Sequence, residues 1–166
     1  MKKNITQKKK FPNQTFRHDW NTEEIEDIQN QPFFSLLHNA HQVHLKYNGE
    51  MTMQLSSLLN IKTGGCPEDC KYCSQSAHYK GKTKLESKKL MEVRSVLAEA
   101  QKAKNIGADR FCIGAAWRQI PDTKEFDAVL EIIRGIKKLG LEACATLGMI
   151  TRRQAQQLAD AGLTAY

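Results

Sequence analysis

Three cysteines, Cys66, Cys70 and Cys73, fall within the eight-residue stretch Cys66-Pro-Glu-Asp-Cys-Lys-Tyr-Cys73, and the pair Gly64-Gly65 leads into them. A loop this dense in thiols is built to hold a metal or a cluster. Structural zinc and a fully ligated iron–sulfur cube both need four ligands, so three cysteines at C-x3-C-x2-C spacing either borrow a fourth or leave a position open. An open iron binds and activates a substrate. The competing chemistry is zinc, with His78 as fourth ligand five residues after Cys73. A disulfide knot is set aside: five cysteines are an odd number, no signal peptide is read, and 166 residues need no staples. Spacing alone leaves cluster and zinc both standing.

Placing the loop falls to the elements around it. Asn21-Thr-Glu-Glu24 sets a capping residue three positions before a glutamate and predicts a helix start. A second helix is predicted after Pro32, with Phe33, Leu37, Ala40 and His44 at helical spacing and an end by Asn48-Gly49. His38, His41 and His44 recur along it every three residues, a pattern read as a solvated flank in preference to a metal face. These helices read as a cap over 21–50.

From about Met53 strand and helix alternate. A strand from Leu55 to Thr63 runs into the cysteine loop. The capping box Thr83-Lys-Leu-Glu86 predicts a helix whose apolar face is Leu90, Val93, Leu97 and Ala100, up to Gly107. Arg110 to Ala116 reads as a strand. Asp122 with Glu125 opens a helix striped by Phe126, Val129, Leu130 and Ile133, closing at Gly140. Leu141 to Leu147 is a third strand, Thr151 with Gln154 caps a helix ending at Gly162, and Leu163 to Tyr166 begins a fourth strand.

This alternation predicts a parallel sheet of βα units. Side-chain parity separates an open doubly wound sheet from a barrel. Phe111, Ile113 and Ala115 share one face of their strand, and Arg110, Cys112 and Gly114 the other. Leu141, Ala143, Ala145 and Leu147 likewise oppose Glu142, Cys144 and Thr146. Interior strands of an open α/β sheet are apolar on both faces. Here one face is apolar and the other polar and small, like the lining of a site inside a barrel. The fold class read from the sequence is therefore α/β, a TIM-type (β/α) barrel. Cys112 and Cys144 fall on the polar side of adjacent strands, where their thiols can reach one ligand; the plainer reading of each is a small buried hydrophobe.

A chain of 166 residues with 40% hydrophobic content is long enough for one domain with its own core. No run of about 18 apolar residues occurs, so no membrane span is predicted. Much of the net charge of +7 sits at the start, where Lys2, Lys3, Lys8, Lys9, Lys10 and Arg17 precede the first acid, Asp19. Residues 1–20 read as a disordered basic leader in preference to a nucleic-acid-binding arm or a presequence. Unpaired cysteines suit a reducing cytoplasm.

The runs Asn60-Ile-Lys-Thr-Gly-Gly-Cys-Pro-Glu-Asp-Cys-Lys-Tyr-Cys-Ser-Gln75, Leu90-Met-Glu-Val93, Arg110-Phe-Cys-Ile-Gly-Ala-Ala-Trp117 and Gly140-Leu-Glu-Ala-Cys-Ala-Thr-Leu-Gly148 closely resemble the biotin synthase family of radical S-adenosylmethionine enzymes. The likeness covers roughly residues 50–166. It implies that Cys66, Cys70 and Cys73 bind a [4Fe–4S] cluster whose open iron is chelated by S-adenosylmethionine. Tyr72 and Ala115 are then parts of the adenosylmethionine pocket. Cys112 and Cys144 match two ligands of a [2Fe–2S] cluster inside the barrel, the source of the inserted sulfur. The implied reaction is sulfur insertion into dethiobiotin to form biotin, the last step of biotin biosynthesis. The implied partners are a reducing flavodoxin-type electron donor and, in the full-length family, a second subunit of a homodimer, with no nucleic acid and no membrane. Arg110 faces the same lumen, where it balances cluster charge or pairs with Glu142.

The family fold is a complete (β/α)8 barrel, which rarely uses fewer than about 200 residues. Three βα units and the start of a fourth strand read as its N-terminal half: leader over 1–20, cap over 21–50, partial barrel over 51–166. The third cysteine and the arginine that complete the family's [2Fe–2S] site have no counterpart here. Two further readings are an inactive remnant that still binds an iron–sulfur cluster and a small structural metal-binding module.

Overall fold

The computed structural model describes residues 17–48 and 53–166. The basic leader expected over 1–20 lies outside the described residues as far as Phe16, and so do Gly49 and the cap–barrel boundary at 50/51. The chain divides into two compact units, Met1–Met53 and Gln54–Tyr166.

In the first unit, α1 (Thr22–Gln29) starts where the sequence places it. Asn21 accepts from the Glu24 amide while the Glu24 carboxylate accepts from the Asn21 amide, a complete capping box. Arg17 pairs with both Asp19 and Glu24 and stacks over Trp20 at 4.4 Å. The backbone and arginine bonds hold the Glu24 carboxyl below its ordinary value. Pro32 initiates α2 (Phe33–Asn48), its carbonyl accepting from Ser35 and Leu36. No residue of α1 is buried, and Phe33 and Leu37 of the predicted stripe are exposed. His38, His41 and His44 lie on α2, and among the described residues no group of three histidine, cysteine or acidic side chains is placed to hold a single ion.

The second unit runs β1 (Ser56–Lys62), α3 (Val93–Asn105), β2 (Arg110–Ala115), α4 (Lys124–Lys138), β3 (Glu142–Thr146), α5 (Arg152–Asp160) and β4 (Leu163–Ala165). The four strands form one parallel sheet in the order β1-β2-β3-β4. A doubly wound sheet reverses strand order at a switch point; sequential order is the winding of a (β/α) barrel. The sheet is open, and it presents the two-faced pattern expected of barrel strands.

The helix-side face carries the core. Ile61, Phe111, Ile113, Ala143 and Ala145 are fully buried beneath Phe126, Val129, Ile132, Ile133 and Ile136 of α4 and Val96 and Ala100 of α3. Each large side chain so buried stabilises the fold by roughly 1.5–3 kcal/mol. Gly135 permits close approach of α3 and α4, since a Cβ there would stand 2.5 Å from a Leu97 methyl. The opposite face carries Ser56, Leu58 and Asn60 of β1, Arg110, Cys112 and Gly114 of β2, and Glu142, Cys144 and Thr146 of β3; none of these is buried.

Two expected helix starts are corrected. Thr83 opens no helix: α3 begins ten residues later, at Val93, behind Glu92, which makes no side-chain cap. The intervening backbone is committed to the end of β1, with Lys88 N–H bonded to the Thr63 carbonyl at 2.8 Å and Met91 N–H to Ile61 at 2.9 Å. Strand-end pairing outcompetes the local capping signal. At α4 the cap is Thr123, which accepts from the Glu125 amide; Asp122 instead pairs with Arg153 on α5. At α5, by contrast, Thr151 and Gln154 form the predicted capping box.

Candidate functional site

The cysteine loop rises from the C-terminal end of β1, the end at which α/β barrels place their chemistry. Gly64 and Gly65 turn it out of the sheet with φ of 69° and 71°, a region open to glycine at little cost. Gly64 also has no room for a side chain, because a Cβ would lie 2.7 Å from the Ser87 hydroxyl and 3.1 Å from its Cα.

Backbone bonds close the loop on itself. Cys66 N–H donates to Gln75 at 3.0 Å and Ala77 N–H returns to the Cys66 carbonyl at 2.7 Å. Inside that ring, Cys73 N–H donates to Cys70 at 2.8 Å and Ser76 N–H to Cys73 at 3.2 Å. Ser76, 5% exposed, is the latch: its hydroxyl donates to the Glu68 carbonyl at 2.5 Å and accepts from the His78 amide at 3.2 Å. All three cysteines are free thiols, Cys70 exposed and the other two half-buried.

Side chains then tie the ring to the sheet. Gln75 Oε1 accepts from Gly64 N–H at 2.6 Å. Asn60, oriented to satisfy its surroundings, donates to the Gly114 and Lys62 carbonyls and accepts from Thr63 and from Gln75 Nε2 at 3.1 Å. Arg118, beyond β2, pairs with Glu68 at 2.8 Å. Lys62 Nζ donates to the carbonyls of Gly64 at 3.2 Å and Ala116 at 2.9 Å.

Between loop and sheet lies a cavity of about 380 Å³, lined by Cys66, Cys73, Gln75, Ala115, Trp117 and Thr146 among others. Leu58 and Gly114 share its lining, so the inner face of the sheet forms its floor. Cys112 and Cys144 are direct register partners two residues before Gly114 and Thr146, roughly 7 Å further along their strands. The loop thiols and the strand thiols thus belong to one continuous surface. Burial, and then the hydrogen bond and repulsion from Cys144, push the Cys112 thiol up to about 11, with Arg110 pulling the other way. Arg110 itself makes a forked bond to Glu142 Oε2, at 2.7 and 3.1 Å, and Gln54 adds a third at 2.9 Å. That bond is the main cause holding the Glu142 carboxyl below its ordinary value. The ion pair with Glu142, one of the two roles read for Arg110, is formed.

The expected site residues therefore fall as follows. Cys66, Cys73 and Ala115 line the cavity; Cys70 sits on the loop outside that lining; Cys112 and Cys144 stand side by side on the sheet. Tyr72 is 95% exposed and outside the cavity. His78, the zinc alternative's fourth ligand, has Nε2 at 3.1 Å from the Pro67 carbonyl. Among the described residues no three such side chains converge on one point; thiols are soft donors, suited to zinc and also to a group larger than one ion. A cube, whose thiolates bind separate irons, is of that kind. Sequence reasoning assigned no role to Asn60, Lys62, Gln75, Ser76 or the Glu68–Arg118 pair. Their positions flanking the cysteines and the end of β2 were the available signal.

Residues 60–166 match the Radical SAM superfamily. The chain is 55% identical over 150 residues to a biotin synthase of Allorhizobium ampelinum, covering 90% of this chain and 45% of that protein. It is 56% identical over 153 residues to one of Methylorubrum populi, covering 92% and 45%. Against one of Synechococcus elongatus it is 51% identical over 153 residues, covering 92% and 47%. The chain thus spans about half the length of the curated relatives it matches.

Proposed function

The chain belongs to the radical SAM superfamily, and from that premise we propose that it carries the cofactor-binding part of a biotin synthase. In this reading Cys66, Cys70 and Cys73 hold a [4Fe–4S] cluster, and Cys112 and Cys144 are two ligands of a [2Fe–2S] cluster. Held by Cys66, Cys70 and Cys73, the first group would supply the single electron for reductive cleavage of S-adenosylmethionine, the radical chemistry that sulfur insertion into dethiobiotin requires.

The chain's own residues do the positioning. The glycine pair and the ring through Gln75 and Ser76 hold three thiols on one short loop. Ala115, with only a methyl group, gives the adenosyl group room against β2; Tyr72, exposed and outside the cavity lining, would have to turn inward to meet the same ligand. The half-exposed inner face of β1–β3 receives the substrate side of the cavity. The observation that carries the reading is that one cavity joins Cys66 and Cys73 to the sheet face bearing Cys112 and Cys144. By the same reading residues 51–166 are the barrel part, 21–50 its helical cap and 1–20 a basic leader. Dethiobiotin, a flavodoxin-type reductant, a homodimer and a cytoplasmic setting are proposed for a protein of the relatives' length. No helix among the described residues is long and apolar enough to cross a membrane.

Anaerobic reconstitution with iron and sulfide, followed by low-temperature EPR of the reduced chain, tests the proposal. A [4Fe–4S] signal that shifts on adding S-adenosylmethionine is expected. Zinc in place of iron and sulfide, or a signal indifferent to S-adenosylmethionine, would overturn it.

A further inference from the structure

Lys62 closes β1 at a register irregularity, where the pairing with β2 skips from Asn60–Gly114 to Lys62–Ala115. Its side chain is half-buried. Its ammonium donates to the Gly64 carbonyl at 3.2 Å and the Ala116 carbonyl at 2.9 Å, and stands 5.7 Å from the centre of the Trp117 ring. The Ala116 amide in turn donates to the Lys62 carbonyl at 2.9 Å.

Two features need explaining. Lys62 makes no ion pair with any acid among the described residues, and the third of its three donors has no protein acceptor there. A half-buried cation that meets only carbonyl dipoles and a ring face is incompletely compensated. The two anchors it bridges are also specific. Gly64 lies two residues before Cys66, and Ala116 sits between Ala115 and Trp117 on the cavity wall. The charge is therefore held at the seam between the cysteine loop and that wall. Two charged pairs flank the seam, Glu68 with Arg118 and Arg110 with Glu142, and neither includes Lys62. Anionic thiolates holding a metal–sulfide group would be an electrostatic complement to this charge.

We propose that Lys62 is a positioning residue with an electrostatic role. It clamps the cysteine loop to the end of β2 and places one uncompensated positive charge beside the group the three thiolates hold, easing its reduction. This rests on the reading that Cys66, Cys70 and Cys73 bind a cluster. A positive charge favours whichever state of a neighbour carries more negative charge, here the one-electron-reduced state. The contribution is larger at a half-buried site than at an exposed one, because less water screens it.

The test uses the full chain, reconstituted anaerobically, with K62R, K62Q and K62M beside the wild type. Glutamine keeps hydrogen-bond donors for the two carbonyls and drops the charge; arginine keeps both. The primary readout is the reduction midpoint of the cluster, followed by EPR in a mediator titration. The second is amide hydrogen exchange at Cys66 and Ala116, which reads the clamp whether or not a cluster is bound. K62Q and K62M are expected to lower the reduction equilibrium about tenfold, a 59 mV shift to more negative potential for one electron. K62R is expected within twofold of wild type, and K62Q keeps its amide protection. A K62Q midpoint equal to wild type overturns the electrostatic role. So does a K62R midpoint as low as that of K62M. If K62M does not fold, K62Q and K62R decide. A wild-type chain that assembles no cluster overturns the cluster reading itself, and with it this inference, a result distinguishable from a silent Lys62.

Discussion

Replacing Ser76 by alanine should loosen the cysteine loop without unfolding the protein. The hydroxyl makes two bonds that nothing else in the loop replaces, to the Glu68 carbonyl at 2.5 Å and from the His78 amide at 3.2 Å. Losing them leaves one acceptor and one donor unmatched, at roughly 1–3 kcal/mol when such groups are buried. Glu68 is half-exposed and His78 exposed, so water recovers part of the loss and about 1–2 kcal/mol remains. That corresponds to loop opening about 5- to 30-fold more often. The Cys66 and Ala77 amides, which close the ring through Gln75 and Cys66, should therefore exchange hydrogen faster by that factor. Those of Ile113 and Ala145 in the core should not change. Ser74→Ala is the control, since the Ser74 side chain is exposed and makes no hydrogen bond among the described residues. Exchange at Cys66 and Ala77 unchanged within twofold in S76A would refute the idea that this serine latches the loop.

The other predictions test the wall, the inner face and the ligands in turn. Gly148→Ala should cost about 3 kcal/mol, combining the penalty of a left-handed residue with steric overlap. Its φ is +78°, and the new Cβ would meet backbone oxygens of Arg118 and Trp117 at 2.4 and 2.5 Å. Thermal unfolding should fall by on the order of 10 °C, against only a few degrees for Gly81→Ala, whose Cβ meets nothing within 4 Å. A double-mutant cycle of R110M with E142Q should give a coupling of no more than about 1 kcal/mol, because both side chains remain partly exposed. The Glu142 carboxyl lies below its ordinary value of 4.5 in the folded chain, so its contribution is present above that pH and disappears as pH falls through the lower folded value. A coupling that grows on acidification would contradict this. Alanine at Cys66, Cys70 or Cys73 should each abolish the brown chromophore after reconstitution, whereas alanine at Cys112 or Cys144 should leave it. Full reconstitution by all three loop variants would remove the cluster from that loop.

The barrel strands were legible because their information is local and periodic. Alternation along Arg110–Ala115 and Glu142–Thr146 assigns each side chain to a face before any partner is known. The register then sets Cys112 against Cys144 as parity requires. Ala115 escapes that logic: parity groups it with the buried Phe111 and Ile113, yet it lines the cavity, because β2 ends there and alternation stops with it. The capping box at Thr151 forms because nothing competes for its backbone. The same pattern at Thr83 fails because Lys88 and Met91 donate to the end of β1, a partner about 25–30 residues away in sequence that no local rule can see.

The cysteines were visible for the opposite reason. Thiol density is a compositional signal that needs no geometry, but it says nothing about what holds the thiols in place. That support comes from Asn60, Gln75 and Ser76, ordinary polar residues whose importance appears only once the loop folds back across the strand end. Lys62 is the extreme case. In the sequence it is one of 25 basic residues, and at a strand end it reads as a solvated charge. Its two carbonyl bonds join positions 64 and 116, separated by a whole βα unit. A parallel strand pair brings such positions together only through its crossover, so the charge becomes specific at the moment the sheet forms. Ligands can thus be read from spacing, while the groups that tune them are created by topology.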